Sequence, residues 1–237
     1  MRVLVVTAVP VERDAVTRAF GGAEEQLSPP GAELHRRGAF DVLAGGAGPA
    51  AAAAATAFAL ASGALASSPY GLVVSAGIGG AFTPVTPLGS LVVADGIVAA
   101  DLGAETAEGF LPVTALGFGR DRFAPPPALV REVAAATGAA TGPVLTVSTV
   151  TGTAERAGAL LAAHPGALAE AMEGFGVAEA AARAGVPVLE VRAVSNAVGP
   201  RDRDAWRIGD ALAALTDAFG ASASVLEGWN SHENLEG

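Results

Sequence analysis

The sequence is poor in the residues that bind metals or form cross-links. It contains no cysteine and only three histidines, His35, His164 and His232. The lack of thiols excludes disulfide bonds, thiolate catalysis and cysteine-ligated zinc, and no histidine is spaced with others as the ligands of a metal site are. The chemistry of this chain is therefore expected to come from carboxylates, amides and the backbone.

Positive charge and long apolar runs are also scarce. The 14 Lys and Arg are outnumbered by 24 Asp and Glu, a net charge of −10, whereas a nucleic-acid surface needs a basic stripe. The longest apolar run, residues 50–66, is mostly alanine and is interrupted by Thr56, Ser62 and Gly63, which predicts a soluble helix and not a membrane span. The opening RVLVVTAV is strand-like and lacks the features of a secretory signal. We expect a cytoplasmic protein with no nucleic-acid or membrane partner.

The residues that are abundant indicate one α/β domain. Of 237 residues, 51% are hydrophobic and 31 are glycine, which suffices for a substantial core. Valine-rich runs typical of buried strands alternate with alanine-rich stretches typical of helices. We find no internal repeat and no linker, so residues 1–228 are predicted to form a single domain and residues 229–237 a polar tail.

The stretch from Glu170 to Asp204 carries the clearest functional signal. Met172–Glu173 precede a predicted helix over Gly174–Arg183, and a predicted buried strand over Val188–Val194 ends on Ser195–Asn196. Open α/β sheets bind their ligands at the carboxyl ends of the strands. One β-α unit can therefore bring a carboxylate and a carboxamide to the same crevice.

Three further segments bear on function. Glu12 follows the first predicted strand, either as an acidic first-turn residue that complements the helix dipole or as a carboxylate aimed into the crevice. The glycine-rich segments 45–49 and 75–81 let backbone amides approach a ligand, but neither has the form of a dinucleotide or P-loop motif. Residues 108–127 are predicted to be a long loop that serves as a lid or a subunit contact.

Six segments in order resemble one known family. They are the first strand with Glu12, GAG at 46–48, SAGIGG at 75–80, GSLVVAD at 89–95, MEG at 172–174 and VRAVSN at 191–196. Together they resemble the purine nucleoside phosphorylase/nucleosidase family. The resemblance implies a three-layer α/β/α domain with a twisted mixed central sheet, a homo-oligomer, and cleavage of the bond between a purine and ribose. The segment GPRDRDAW at 199–206 is most similar to the futalosine hydrolase branch of that family.

The resemblance also implies roles for individual residues. Glu12 would hold and deprotonate the attacking water, while Glu173 and Met172 would bind the ribose. Asn196 stands where adenine-specific members have Asp, and its NH₂ can donate to the O6 and N7 acceptors of a 6-oxopurine. Trp206 and Arg203 would contact the aromatic carboxylate that futalosine carries beyond its 5′ carbon. The other substrate-binding residues implied are Gly48, Gly77, Ile78, Gly79, Thr149, Val150 and Phe175, although the family's aromatic residue at position 149 is absent here.

The glycine-rich segments 45–49 and 75–81 contain no Arg or Lys, and phosphorolysis needs arginines to hold the phosphate. We therefore expect hydrolysis of futalosine to hypoxanthine and dehypoxanthine futalosine, a step of menaquinone biosynthesis, with no cofactor because water and two carboxylates suffice. The alternatives are a purine nucleoside phosphorylase, a methylthioadenosine/adenosylhomocysteine-type nucleosidase, and a non-catalytic nucleoside-binding module. The presence of both Glu12 and Glu173 argues against the last of these.

Overall fold

A computed structural model describes residues 1–28, 33–83 and 85–229. The helices and strands alternate along the chain. The strands are β1 Arg2–Thr7, β2 Glu25–Leu27, β3 Leu34–Arg37, β4 Phe40–Ala44, β5 Tyr70–Ala81, β6 Leu91–Ala99, β7 Gly103–Thr106, β8 Gly109–Pro112, β9 Arg122–Phe123, β10 Ala140–Thr146, β11 Ala169–Ala171 and β12 Val188–Ala197. The helices are α1 Pro10–Arg18, α2 Pro49–Leu65, α3 Pro127–Thr137, α4 Ala154–Ala163, α5 Gly174–Arg183 and α6 Ile208–Gly228, with a 3₁₀ turn at Arg203–Ala205.

The central sheet is mixed and curls on itself. Its strand order is β11-β10-β6-β12-β5-β1-β4-β3-β2, with β9 beside β6. Strand β1 is parallel to β4 and β5, and β12 is parallel to β5 but antiparallel to β6. Because β11 pairs with β10 on one side and with β5 on the other, the strands β11, β10, β6, β12 and β5 close a ring. A sheet this strongly coiled follows from the right-handed twist of its strands.

Helices cover both faces of the sheet. Successive residues of β1 point into different cores, Val3 and Val5 toward the side of α1, α3 and α6 and Leu4 and Val6 toward the side of α2 and α5. This double burial explains the continuous apolar run at the start of the sequence. The three-layer α/β/α fold with a mixed central sheet is therefore confirmed.

Several predicted elements differ from the observed ones. Residues 108–127, predicted as a loop, contain β8 and β9, and β9 is held by antiparallel pairing of Phe123 with Ile97. Strand β5 continues through the glycine-rich segment to Ala81 because β12 pairs with it along residues 73–81. Within the described residues, no helix is long and apolar enough to cross a membrane.

Helix α6 ends at Gly228, and Trp229 is buried against the core that α6 shares with α1 and α3. The remainder of the predicted polar tail, residues 230–237, lies outside the described residues.

Candidate active site

A cavity of about 280 Å³ opens at the carboxyl ends of β1, β5 and β12. Eight of the residues predicted to form the site line it together. They are Glu12, Ile78, Gly79, Val150, Met172, Glu173, Asn196 and Trp206. Residues more than 180 positions apart in the sequence thus meet at one edge of the sheet, as the strand-end rule for α/β proteins predicts.

Glu12 is held by backbone amides in the first turn of α1. This helix begins at Pro10, directly after β1, so the Glu12 side chain folds back over the end of the strand. Its Oε2 accepts from the N–H groups of Ala8 (3.0 Å) and Val9 (3.3 Å), and its Oε1 accepts from the N–H of Ile78 (2.8 Å). Burial raises the pKa of Glu12, against the lowering effect of the Ile78 N–H and of Arg192. A carboxylate with a raised pKa is suited to accept a proton near neutral pH.

The glycine at position 77 leaves room for this carboxylate. A Cβ at Gly77 would lie 2.7 Å from Oε1 of Glu12 and 2.8 Å from Nη1 of Arg192. Both distances are far below normal contact, so a side chain here would displace the two charged groups. The close approach of backbone and carboxylate therefore requires glycine.

Glu173 lies at the start of α5 and accepts three hydrogen bonds. Its Oε1 accepts from the N–H of Gly48 (3.2 Å), and its Oε2 accepts from the N–H of Met172 (3.3 Å) and from Nη1 of Arg192 (3.2 Å). Gly48 has a φ of 90°, a conformation that favours glycine, and this turn aims its amide at the carboxylate. Glu173 is buried but borders the cavity, so a sugar hydroxyl in the cavity can reach it.

Arg192 is a functional residue that was not predicted from the sequence. It lies on β12, is fully buried, and donates from Nε to Glu190 (2.9 Å), from Nη1 to Glu173 and from Nη2 to the hydroxyl of Ser75 (3.0 Å). A charged residue in the apolar run of a central strand was the available signal, since an arginine is almost never fully buried unless it is paired. The hydrogen bond from the Arg192 guanidinium fixes the orientation of the Glu173 carboxylate.

Asn196 has its carboxamide oriented by its neighbours. Its Oδ1 accepts from the hydroxyl of Ser195 (2.9 Å), and its Nδ2 donates to the carbonyl of Ala197 (2.9 Å). Because the NH₂ group carries two hydrogens, one remains for a ligand. A Cβ at Gly80 would lie 3.1 Å from Nδ2, so the absence of a side chain there keeps the approach to the carboxamide open.

Five predicted binding residues do not line the cavity. Gly48 and Gly77 stand behind it, in contact with the two carboxylates as described above. Thr149 is exposed, and Phe175 is buried with its ring 5.2 Å from that of Phe123. The Arg203 guanidinium lies 5.8 Å from the Trp206 ring, whereas that of Arg201 lies 5.2 Å from the ring and lines the cavity.

Glu170 and Thr151, which are outside the predicted set, also line the cavity. They are hydrogen-bonded to each other through the Thr151 backbone N–H (2.9 Å) and hydroxyl. Neither residue was predicted from the sequence to take part in the site. Among the described residues, no three His, Asp or Glu side chains are grouped as a metal site requires.

The fold and the sequence of this chain match proteins of known class. A futalosine hydrolase from Streptomyces coelicolor is 68% identical over 98% of this chain and 100% of its own length. At 18% identity, two solved structures share the fold. A 5′-methylthioadenosine/S-adenosylhomocysteine nucleosidase from Neisseria meningitidis, in complex with methylthio-immucillin-A, has a TM-score of 0.80 over 94% of this chain and 99% of its own. A futalosine hydrolase from Helicobacter pylori has a TM-score of 0.78 over 95% of this chain and 98% of its own.

The family predicted from the six ordered segments is confirmed by these relatives. The model of the Phosphorylase superfamily matches residues 5–227, which include every residue described at the cavity. The chain belongs to the Phosphorylase superfamily, and within it to the futalosine hydrolases.

Proposed function

We propose that this chain hydrolyses the N-glycosidic bond of futalosine and releases hypoxanthine. The observation that carries the proposal is the meeting of Glu12, Glu173 and Asn196 on one cavity at the strand ends. These residues supply a proton acceptor, a partner for the ribose hydroxyls and a donor for the base. The identity of 68% with a futalosine hydrolase over the full length of that protein supports the choice of substrate.

The proposed reaction breaks the bond from the purine nitrogen to C1′ and forms a bond from the water oxygen to C1′. Glu12 takes a proton from the attacking water, and the departing purine takes up a proton to become neutral hypoxanthine. Positive charge develops on the sugar as the bond breaks, and the carboxylate of Glu173 stabilises it. A well-placed general base contributes roughly 10²–10⁴-fold to the rate.

Water is favoured over phosphate because the cavity offers little to hold a dianion. In the part of the chain that the structure describes, Arg201 is the single basic residue that lines the cavity. Arg192 does not line the cavity, and its guanidinium is hydrogen-bonded to Glu173, Glu190 and Ser75. A phosphate bound beside Glu12 and Glu173 would be repelled by two carboxylates. Arg192, the arginine next to them, is already hydrogen-bonded to other side chains.

The substituent beyond the 5′ carbon is proposed to lie against Trp206 and Arg201. Trp206 lines the cavity and is half-buried, and the Arg201 guanidinium lies 5.2 Å from its ring. An aromatic carboxylate can stack on the indole while its negative charge is met by the guanidinium. Arg203 does not line the cavity but adds a second cation near the same ring.

We further propose that the protein is a homo-oligomer, that it is located in the cytoplasm, and that it acts in menaquinone biosynthesis. Large apolar side chains are exposed on the segment that carries β8, namely Phe110, Leu111 and Phe118, and on α2 at Phe58. Exposed apolar groups of this size are typical of contact surfaces. Light scattering coupled to size exclusion, at several protein concentrations, would give the number of subunits.

The proposal is tested by following hypoxanthine release from futalosine and from inosine, each with and without phosphate. Release from futalosine in phosphate-free buffer, with inosine a poor substrate, is the expected result. Release that requires phosphate would identify a phosphorylase, and preferred release of adenine from methylthioadenosine would identify the other nucleosidase class. Tight nucleoside binding without any turnover would identify a binding module.

A further inference from the structure

Glu170 lies at the base of the cavity opposite Asn196. It is the middle residue of β11, and it pairs with Gly80 of β5. Asn196 of β12 pairs with the same glycine from the other side. Glu170 and Asn196 are therefore two strand spacings apart, about 10 Å between backbones, and both line the cavity. Side chains that extend into the cavity from these two strands can therefore approach neighbouring atoms of one purine base.

The Glu170 carboxyl has acceptor capacity that the protein leaves unused. It is 4% exposed, its Oε1 accepts from the Thr151 N–H (2.9 Å), and its Oε2 accepts from the Thr151 hydroxyl. Each carboxylate oxygen can accept two hydrogen bonds, so each keeps one free position. In the described residues no Lys, Arg or His nitrogen lies within 4.0 Å of this carboxyl.

A buried carboxyl without a cation is costly to keep. Its neighbours on the strand, Ala169 and Ala171, are both small and buried, so a neutral residue would suit the strand better. Burial raises the pKa of Glu170, and the two hydrogen bonds from Thr151 oppose that effect. A neutral acceptor could satisfy the backbone N–H of Thr151 equally well. The hydrogen bond from this N–H therefore does not explain why a charged group lines the cavity.

A 6-oxopurine presents the donor that Glu170 lacks. Hypoxanthine has an acceptor at O6 and a donor at N1–H next to it, whereas a 6-aminopurine has a donor at N6 and an acceptor at N1. The free N–H of Asn196 suits O6, and the N1–H beside it then needs an acceptor. A buried donor left without an acceptor is unfavourable.

We propose that Glu170, held by Thr151, accepts the N1–H of the purine and, with Asn196, selects 6-oxopurines over 6-aminopurines. This inference rests on the proposed function, since it names the base-contacting residue of the same cavity. It assigns to Glu170 a direct contact with the substrate's base and to Thr151 a positioning role.

The first test measures kcat/KM for futalosine and for its 6-amino analogue in the wild type and in Glu170→Gln. Glutamine can keep both contacts with Thr151, because its oxygen accepts from the N–H and its NH₂ donates to the hydroxyl oxygen. A hydrogen bond to a charged group is worth about 1.5–3 kcal/mol, so kcat/KM for futalosine should fall about 10–100-fold. The 6-amino analogue should be unaffected or improved, so that the ratio between the two substrates changes at least tenfold.

Thr151→Val is the matched control. It removes the hydroxyl contact that positions Glu170 and leaves the carboxylate and the backbone N–H contact in place, so kcat/KM for futalosine should fall by a smaller factor than in Glu170→Gln, with the 6-amino analogue little changed. If Glu170→Gln lowers kcat/KM for both substrates equally, Glu170 only supports the loop and the proposal is overturned.

The second test needs no variant and uses free bases. Calorimetry should show that the wild type binds hypoxanthine at least tenfold more tightly than 1-deazahypoxanthine, in which the N1–H is replaced by a C–H of the same shape. Equal affinities would overturn the proposal even if Glu170→Gln failed to fold. Failure of the proposed function is a separate outcome, in which the wild type releases no hypoxanthine from futalosine.

Discussion

Replacing Arg192 by methionine should destabilise the protein strongly. The guanidinium is fully buried and hydrogen-bonded to Glu173 and Glu190, and Glu190 is itself fully buried. Removing one partner of such a network leaves a buried charge without compensation, which typically costs about 3–5 kcal/mol. Since single domains are stable by only about 5–15 kcal/mol, this loss is a large fraction of the total.

The contacts of Glu190 explain why a local rearrangement of the structure around it cannot restore the stability lost in Arg192→Met. Its Oε1 accepts from Nε of Arg192, while its Oε2 has no hydrogen-bond partner among the described residues. A Cβ at Gly174 would lie 2.2 Å from this Oε2, so the start of α5 is packed directly against the carboxyl. Burial already raises the pKa of Glu190 against the opposing effect of Arg192, and without the guanidinium it would rise further.

Urea unfolding of the wild type and three variants tests this reasoning. Arg192→Met should lose about 3–5 kcal/mol, and the double variant Arg192→Met/Glu190→Gln should recover at least half of that loss because the orphaned charge is gone. Arg183→Met is the control, since Arg183 is exposed and forms only an i,i+4 pair with Glu179, worth about 0.3–0.5 kcal/mol. A loss below about 1 kcal/mol for Arg192→Met, or no recovery in the double variant, would refute the account.

Three further predictions concern the reaction. Glu12→Gln should lower kcat by roughly 10²–10⁴-fold while hypoxanthine still binds, as calorimetry would show; normal turnover would remove Glu12 from its role as base. Burial raises the pKa of Glu12 above 4.5, and Glu12 must be ionised to act as the base. We therefore expect kcat/KM to fall with decreasing pH around a midpoint above 4.5. This decrease should be absent from the pH profile of the residual activity of Glu12→Gln. Asn196→Asp should shift the preference between futalosine and its 6-amino analogue toward the latter by at least tenfold, and an unchanged ratio would mean that Asn196 does not contact the base.

Elements with local signals were predicted well from the sequence. The observed bounds of α5 agree with the predicted ones. Helix α4 begins after Thr153, whose side chain accepts from the N–H of Arg156 as an N-cap does. Helix α3 ends at Gly138, which has a φ of 69°, the conformation expected of glycine at a helix end. Such signals lie within a few residues of the element they define.

Features that depend on distant partners were not predictable in the same way. The role of Arg192 depends on Ser75 and Glu173, which are 117 and 19 residues away, and no local pattern connects them. Phe175 was expected at the substrate, but it is buried with its ring 5.2 Å from that of Phe123. Strand β9 exists because β6 offers an edge to Arg122–Phe123, which the glycine- and proline-rich sequence around it conceals.

The arrangement of charge below the cavity connects the stability of the fold to the choice of nucleophile. Glu12 and Glu173 border the cavity and Glu190 lies behind them, with Arg192 as the cation hydrogen-bonded to two of the three. Burial raises the pKa of Glu12, and the charge of Glu173 adds to that effect. One guanidinium cannot neutralise three carboxylates, so this side of the cavity stays electronegative. That field repels a phosphate dianion and attracts a positively charged sugar. The same buried arginine that holds the site together therefore leaves it suited to water as the nucleophile.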